Sequence, residues 1–161
     1  MTVLLLDSVP ETFEIEPTTD GFVVTIPVLS EVDGFRYVTL AVRLDRILSE
    51  PEGFFEFSYG FEISDLEGNE LSYFTQDRYD IERYFDGLSR EYVLSTVCAC
   101  LTELVEAIQP AYIYRVAKGR SLPKKAMIKH FLVTETLVGL DFEEVQTGTD
   151  EFGRLFWLMG R

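Results

Sequence analysis

Apolar positions along this chain keep one period up to about residue 79 and another after it. In the first part they alternate. Thr12-Phe13-Glu14-Ile15-Glu16 alternates cleanly, and Phe22-Val23-Val24-Thr25-Ile26 is β-branched and follows the turn signal Asp20-Gly21. After Asp33-Gly34, the run Tyr37–Leu44 places Val38, Leu40, Val42 and Leu44 on one face. Phe55, Phe57, Tyr59, Phe61 and Ile63 then recur at every second position, with Gly60 marking a bulge or a close backbone contact. These runs predict four antiparallel strands. Their outward positions carry acids, including Glu14, Glu16, Glu56 and Glu62, as in a sheet with one solvated face.

The period then becomes helical. Ile81, Phe85, Leu88 and Tyr92 share a helical spacing, as do Val93, Val97, Leu101, Leu104 and Ile108. Gly87 is expected to separate a short helix from a long one that is capped by Ser89 and ended by Pro110. Ala111–Ala117 reads as a buried strand. Ser121-Leu122-Pro123 reads as a cap and a helix-starting proline, opening a helix that runs to Gly139. Phe142–Gln146 and Leu155–Met159 flank the turn-rich Gly148–Gly153 and predict a closing hairpin. The order is ββββ-α-β-α-ββ, an α+β fold built on a mostly antiparallel twisted sheet with two main helices.

Composition adds bounds. A chain of 161 residues, 47% hydrophobic and 14% aromatic, reads as a single folded domain and not as a disordered acidic tail. Cys98 and Cys100 sit two apart on a helix, where they point about 200° apart and cannot bridge each other, so they read as buried small residues of a reducing compartment. The start Met1–Asp7 has no basic leader, and no apolar run reaches the ~18 residues of a membrane span. A cytoplasmic protein without membrane contact is the expectation.

Charge is split by position. Residues 1–80 hold 17 acids against Arg36, Arg43, Arg46 and Arg78, a net of −13 out of −14 for the whole chain. In the second half, Arg115, Lys118, Arg120, Lys124, Lys125 and Lys129 lie between Glu106 and Glu135 with no acid among them. Charged partners should therefore meet an acidic side and one basic spot.

The element order resembles the later two thirds of the GNAT acetyltransferase fold. The residues that carry the likeness are the helix Ser89–Gln109, the strand Ala111–Ala117, the helix ending at Gly139-Leu140 and the terminal Phe156-Trp157-Leu158-Met159. Gly139-Leu140 looks like that family's Gly-Phe step. The resemblance implies the fold, and acetyl-coenzyme A binding would need a glycine-rich turn before the long helix. Here Thr75–Ser89 holds one glycine and the acids Asp77, Asp80, Glu82 and Asp86, which repel a pyrophosphate. The family's tyrosine general acid would fall on Glu135. The resemblance thus implies a layout and not the activity.

Lys118, Arg120, Ser121, Lys124 and Lys125 form the candidate anion-binding loop. A strand, a loop containing Gly119 and a helix N-terminus offer free N–H groups and a favourable dipole to a phosphate. The alternative is a solvated basic face that pairs with the acidic sheet of another copy. His130, the sole histidine, has no Cys or Asp at a metal or triad spacing and reads as structural or surface. Ser64–Glu70 gathers oxygen ligands without calcium-loop spacing and reads as a polar hairpin turn. Glu143-Glu144 and Asp150-Glu151 read as solvated, and Trp157 as core. Neither a catalytic residue, a metal ligand nor a cofactor is assigned.

Two functions are carried forward. The first is a non-enzymatic module that docks a basic protein through its acidic half, as inhibitor, immunity, antitoxin and DNA-mimic proteins do. The second is a GNAT-like domain holding a phosphate-bearing ligand at Lys118–Lys125. A nucleic-acid contact through the same loop comes third, and the net charge disfavours duplex binding.

Overall fold

The structure, a computed structural model, describes residues 2–31, 36–65, 70–74, 87–117 and 124–161. The expected class holds: an α+β fold with a mostly antiparallel sheet and two helices in the expected order. The strands are β1 (Thr2–Leu4), β2 (Glu16–Pro17), β3 (Gly21–Glu31), β4 (Arg36–Arg46), β5 (Phe54–Asp65), β6 (Glu70–Phe74), β7 (Tyr112–Val116), β8 (Glu143–Thr149) and β9 (Leu155–Gly160). The helices are α1 (Gly87–Ile108) and α2 (Lys124–Val138). No described helix is long and apolar enough to cross a membrane.

The sheet runs β1-β3-β4-β5-β7-β9-β8, with β2 added to β3 and β6 to β5. Among the described strands β5 and β7 are the one parallel pair, and they are paired only over Phe54–Glu56 and Tyr112–Tyr114. β4 occupies the other edge of β5 along its whole length. β6 must therefore take up the edge that β7 leaves, and it does so from Phe61 onward. A stretch of β5 around Tyr59 lies between the two.

Alternation sets the layers. The face of β3, β4 and β5 that carries Val24, Leu40, Val42, Leu44, Phe57 and Phe61 is buried, and Val97, Leu101, Leu104 and Leu137 complete the core above it. α1 packs over β3 and β4. α2 lies on the same side, held to β7 through Arg115, whose neighbour Ile113 pairs in register with the core residue Phe55. No described helix covers the opposite face.

Glycine permits two close approaches. A side chain at Gly21 would drive its Cβ to 2.0 Å from the Leu44 carbonyl oxygen, so only glycine lets β3 start against β4. Gly53, at φ +96°, turns the chain into β5, and its carbonyl accepts from the amides of both Ala111 and Tyr112. That joint sets the register of the parallel pair.

Several local expectations are corrected. Thr12–Ile15 form no strand; Phe13 and Ile15 pack on the core as side chains, and only Glu16-Pro17 pair with β3. β1 and β6 are additions. Gly60 sits in regular register opposite Ala41 with no bulge. Gly87 opens α1, so Ser89 lies inside its first turn; the short helix expected around Ile81 and Phe85 lies outside the described residues. α1 stops where Gln109 turns left-handed, at φ 56°, just before Pro110. The closing hairpin forms as expected, with Asp150 as its organiser: its carboxylate accepts from the Phe152 and Arg154 amides at 2.9 and 2.8 Å and pairs with the Arg154 guanidinium. Asp150 is thus a turn residue, whereas Glu143, Glu144 and Glu151 are solvated as expected.

Candidate functional site

Of the anion-binding candidates, Lys118, Arg120 and Ser121 lie outside the described residues. Lys124 and Lys125 begin α2, described as backbone only. Most of the turn Ser64–Glu70 also lies outside, although β5 and β6 pair as the hairpin it was expected to close.

A second base from the same sequence run takes a different place. Arg115 alternates inward on β7 and is 4% exposed. Its Nη2 donates to the His130 carbonyl oxygen at 2.8 Å and to the Thr134 hydroxyl, which itself donates to the His130 carbonyl at 3.0 Å. Trp157 is the cross-strand partner of Arg115 on β9, and the guanidinium carbon stands 4.7 Å from its ring centroid. His130 stacks on the same indole, 4.7 Å between centroids and 16° between planes. Residues 115, 130, 134 and 157 therefore form one brace from sheet to α2.

The electrostatics of this brace are unusual. Arg115 Nε has no hydrogen-bond partner, and among the described residues no carboxylate forms a salt bridge with Arg115. Burial lowers the guanidinium pKa to about 10, with Tyr59, Cys98 and Glu144 pulling it upward. Arg115 remains a cation at neutral pH, spread over a helix carbonyl and an indole face. Burial, then Arg115, then Lys129 depress His130 to about 4. Burial holds the Tyr59 phenol at about 12. Near pH 7 neither His130 nor Tyr59 sits at a pKa suited to general acid or base work. Cys100 is buried and pushed up to about 12, an inert thiol, whereas Cys98 is half-buried beside α2. No cluster of His, Cys, Asp or Glu among the described residues could hold a metal ion. The brace is architecture: it ties α2 to the sheet.

The uncovered sheet face has the other character. Strand alternation brings Asp45, Glu56 and Glu62 onto it, together with Arg43, Phe54, Tyr112, Tyr114 and Phe156, all partly exposed. Phe54 stacks on its register partner Tyr112 with centroids 4.2 Å apart, and Tyr114 lies 5.8 Å from Phe156. Arg43 bridges diagonally to Glu62 at 2.9 Å, which shields the small pair Ala41 and Gly60. Burial raises the Asp45 carboxyl above its ordinary value; Arg43 pulls it down and Asp20 pushes it further up.

The aromatic pairs on this face were absent from the sequence reading, although their signal was present. Tyr112 and Tyr114 alternate with Ile113 and Arg115, which assigns the tyrosines to the face opposite the core. The convergence of Arg115, His130 and Trp157 had no such signal, because it depends on the β7/β9 register. Comparison with known proteins adds nothing to these assignments: no family, curated protein or solved structure matches the chain.

Proposed function

We propose that the protein is a non-enzymatic interaction module that docks a basic partner on the uncovered face of its sheet. The observation that carries this reading is the juxtaposition on that face of Asp45, Glu56 and Glu62 with the Phe54–Tyr112 and Tyr114–Phe156 pairs. The net charge of −13 in residues 1–80 of the sequence supports it, since an acidic field raises the association rate with a basic surface and orients the encounter. Inhibitor, immunity and antitoxin proteins work in this way. The test is capture from a lysate of the source cell at low salt, followed by a salt gradient, with wild type and Asp45→Lys/Glu56→Lys side by side. A basic protein retained by wild type, released at moderate salt and lost by the double variant is the expected result. Equal retention by both, or none by wild type, counts against the reading.

One observation favours a second reading, a GNAT-like domain with a phosphate-bearing ligand at Lys118–Lys125. Parallel strands β5 and β7 part after Glu56 and Tyr114, and α1 and α2 flank β7 in the chain, so the Lys118–Lys125 segment follows the strand that leaves. The acids Asp77, Asp80, Glu82 and Asp86 do not fit a pyrophosphate ahead of α1, which leaves the basic segment as the phosphate contact. Thermal shift with coenzyme A, acetyl-coenzyme A and nucleotides tests it, since a ligand at ~100 times its Kd adds about 2.7 kcal/mol. No shift with any of them removes it.

A further inference from the structure

The open sheet face carries one row of side chains whose charge is unbalanced among the described residues. Asp45, Glu56 and Tyr114 are register partners in turn across β4, β5 and β7. Asp45 and Glu56 are therefore direct cross-strand neighbours, with Cβ atoms about 5 Å apart, and like charges so placed repel. Neither forms an ion pair with a described residue. Burial raises the Asp45 carboxyl, and Asp20 adds to the rise against Arg43. Burial also raises the Tyr114 phenol, with Asp150 and Glu56 adding to it against Arg154.

The nearby cations are committed elsewhere. Arg43, in the next row opposite Ser58, turns to Glu62 at 2.9 Å. Arg46 lies over the Phe22 ring, 5.8 Å from its centroid. Arg154 belongs to the closing hairpin, where it shows what would balance the row. Its guanidinium bonds the Asp150 carboxylate at 2.8 Å and stands 5.2 Å from the Phe152 ring centroid. Carboxylate, guanidinium and aromatic ring form one unit there. Glu56 and Tyr114, on strands about 4.8 Å apart, supply the carboxylate and the ring without the guanidinium. Asp45 adds a second carboxylate beside Glu56.

An arginine suits this row better than a lysine. Its planar fork carries five donors, enough for both carboxylates, and its weakly hydrated face can lie on a tyrosine ring. A lysine ammonium is a compact, strongly hydrated charge. The stacked Phe54–Tyr112 pair, two residues back along β5 and β7, gives the aliphatic stem of an arginine an apolar shelf.

We infer that the basic partner of the open sheet face presents an arginine side chain, its guanidinium lying on Tyr114 and bonded to Glu56 and Asp45. The inference rests on the docking reading above and narrows the partner from a basic surface to an arginine-bearing segment.

Fluorescence anisotropy at low salt tests it, with a labelled peptide of alternating arginine and serine and its lysine twin of equal length and charge. The wild type should bind the arginine peptide about fivefold tighter than the lysine peptide. Tyr114→Leu should bring the two to equal affinity, and Glu56→Gln should weaken the arginine peptide severalfold. The ratio of the two affinities within one variant does not depend on how much of it is folded, so a folding defect cannot imitate its loss. Equal affinity of the wild type for both peptides, or a preference that survives Tyr114→Leu, overturns the arginine assignment and leaves the acidic docking face standing. An arginine peptide indifferent to Glu56→Gln overturns it as well. If the wild type binds neither peptide, the docking reading falls with it.

Discussion

The two helices lie on the same face of the same sheet and treat it differently. α1 commits Val93, Val97, Cys100, Leu101, Leu104 and Val105 to the core and turns Glu91, Ser95, Glu103 and Glu106 outward. Among its described side chains α2 commits Val133 and Leu137, is held by the polar Arg115–His130–Thr134 brace, and turns its larger apolar residues to solvent. The sheet and α2 together bury the apolar side of α1. For α2 the sheet supplies an attachment that leaves Met127, Ile128, Phe131, Leu132 and Val138 exposed.

The sharpest way to break that contrast is to truncate the core side of α1. Leu101→Ala or Leu104→Ala should cost about 3–4 kcal/mol in urea denaturation, from lost burial and the cavity left behind. Phe131→Ala should stay within ~0.5 kcal/mol. Similar losses at both sites would remove the distinction.

The brace comes next. Arg115→Ala should cost about 2–3 kcal/mol, whereas Arg115→Met, which fills the same space without charge, should cost at most ~1 kcal/mol or stabilise. The acceptors left behind remain partly satisfied, because Thr134 still donates to the His130 carbonyl. A Met variant as damaged as Ala would mean that the charge itself holds α2 in place.

His130 gives a pH signature of smaller size. Its folded pKa of about 4 lies below the ordinary 6.5, so the unfolded chain takes up the proton first. Stability from this source is complete above pH ~6.5, declines as pH falls toward ~4 and is flat below that. Solvent reaches part of the ring, so the loss should be on the order of 1–2 kcal/mol, and His130→Phe should flatten that window. An unchanged profile in the variant would place the titration elsewhere.

The smallest contrast is in salt response. Binding of a basic partner on the acidic sheet face should weaken steadily with added salt, while the stability of the free chain should change little. Binding that is indifferent to salt would remove the electrostatic part of the account.

How much of this was legible follows from where the determinants lie. β3, β4, β5 and α1 are written in local periods, because each buries one regular face against a neighbour. Thr12–Ile15 alternates just as well, yet Phe13 and Ile15 reach the core without strand pairing; Pro10 and Pro17, which lack an N–H, flank the segment. β1 was hidden in the unalternating run Val3-Leu4-Leu5-Leu6, and β6 in a short stretch behind an acidic turn. In the candidate chemistry, one run of bases split into a segment at the start of α2 and a buried brace. Only the alternation of Ile113 and Arg115 separates the two, and nothing in the spacing of residues 115, 130 and 157 announces that they meet. The outward stripe of α2 was invisible for a related reason. A helix apolar on both sides shows no strong period, and only the tertiary fold says which side is covered.

The most direct test of the contrast between the helices is hydroxyl-radical footprinting of the whole chain, with Met127 as the reporter. Met127 is 41% exposed on α2, and its thioether oxidises readily. The account predicts rapid labelling of Met127 and Phe131 on α2 and protection of Leu101 and Leu104 on α1. Comparable labelling of the two helices would contradict it.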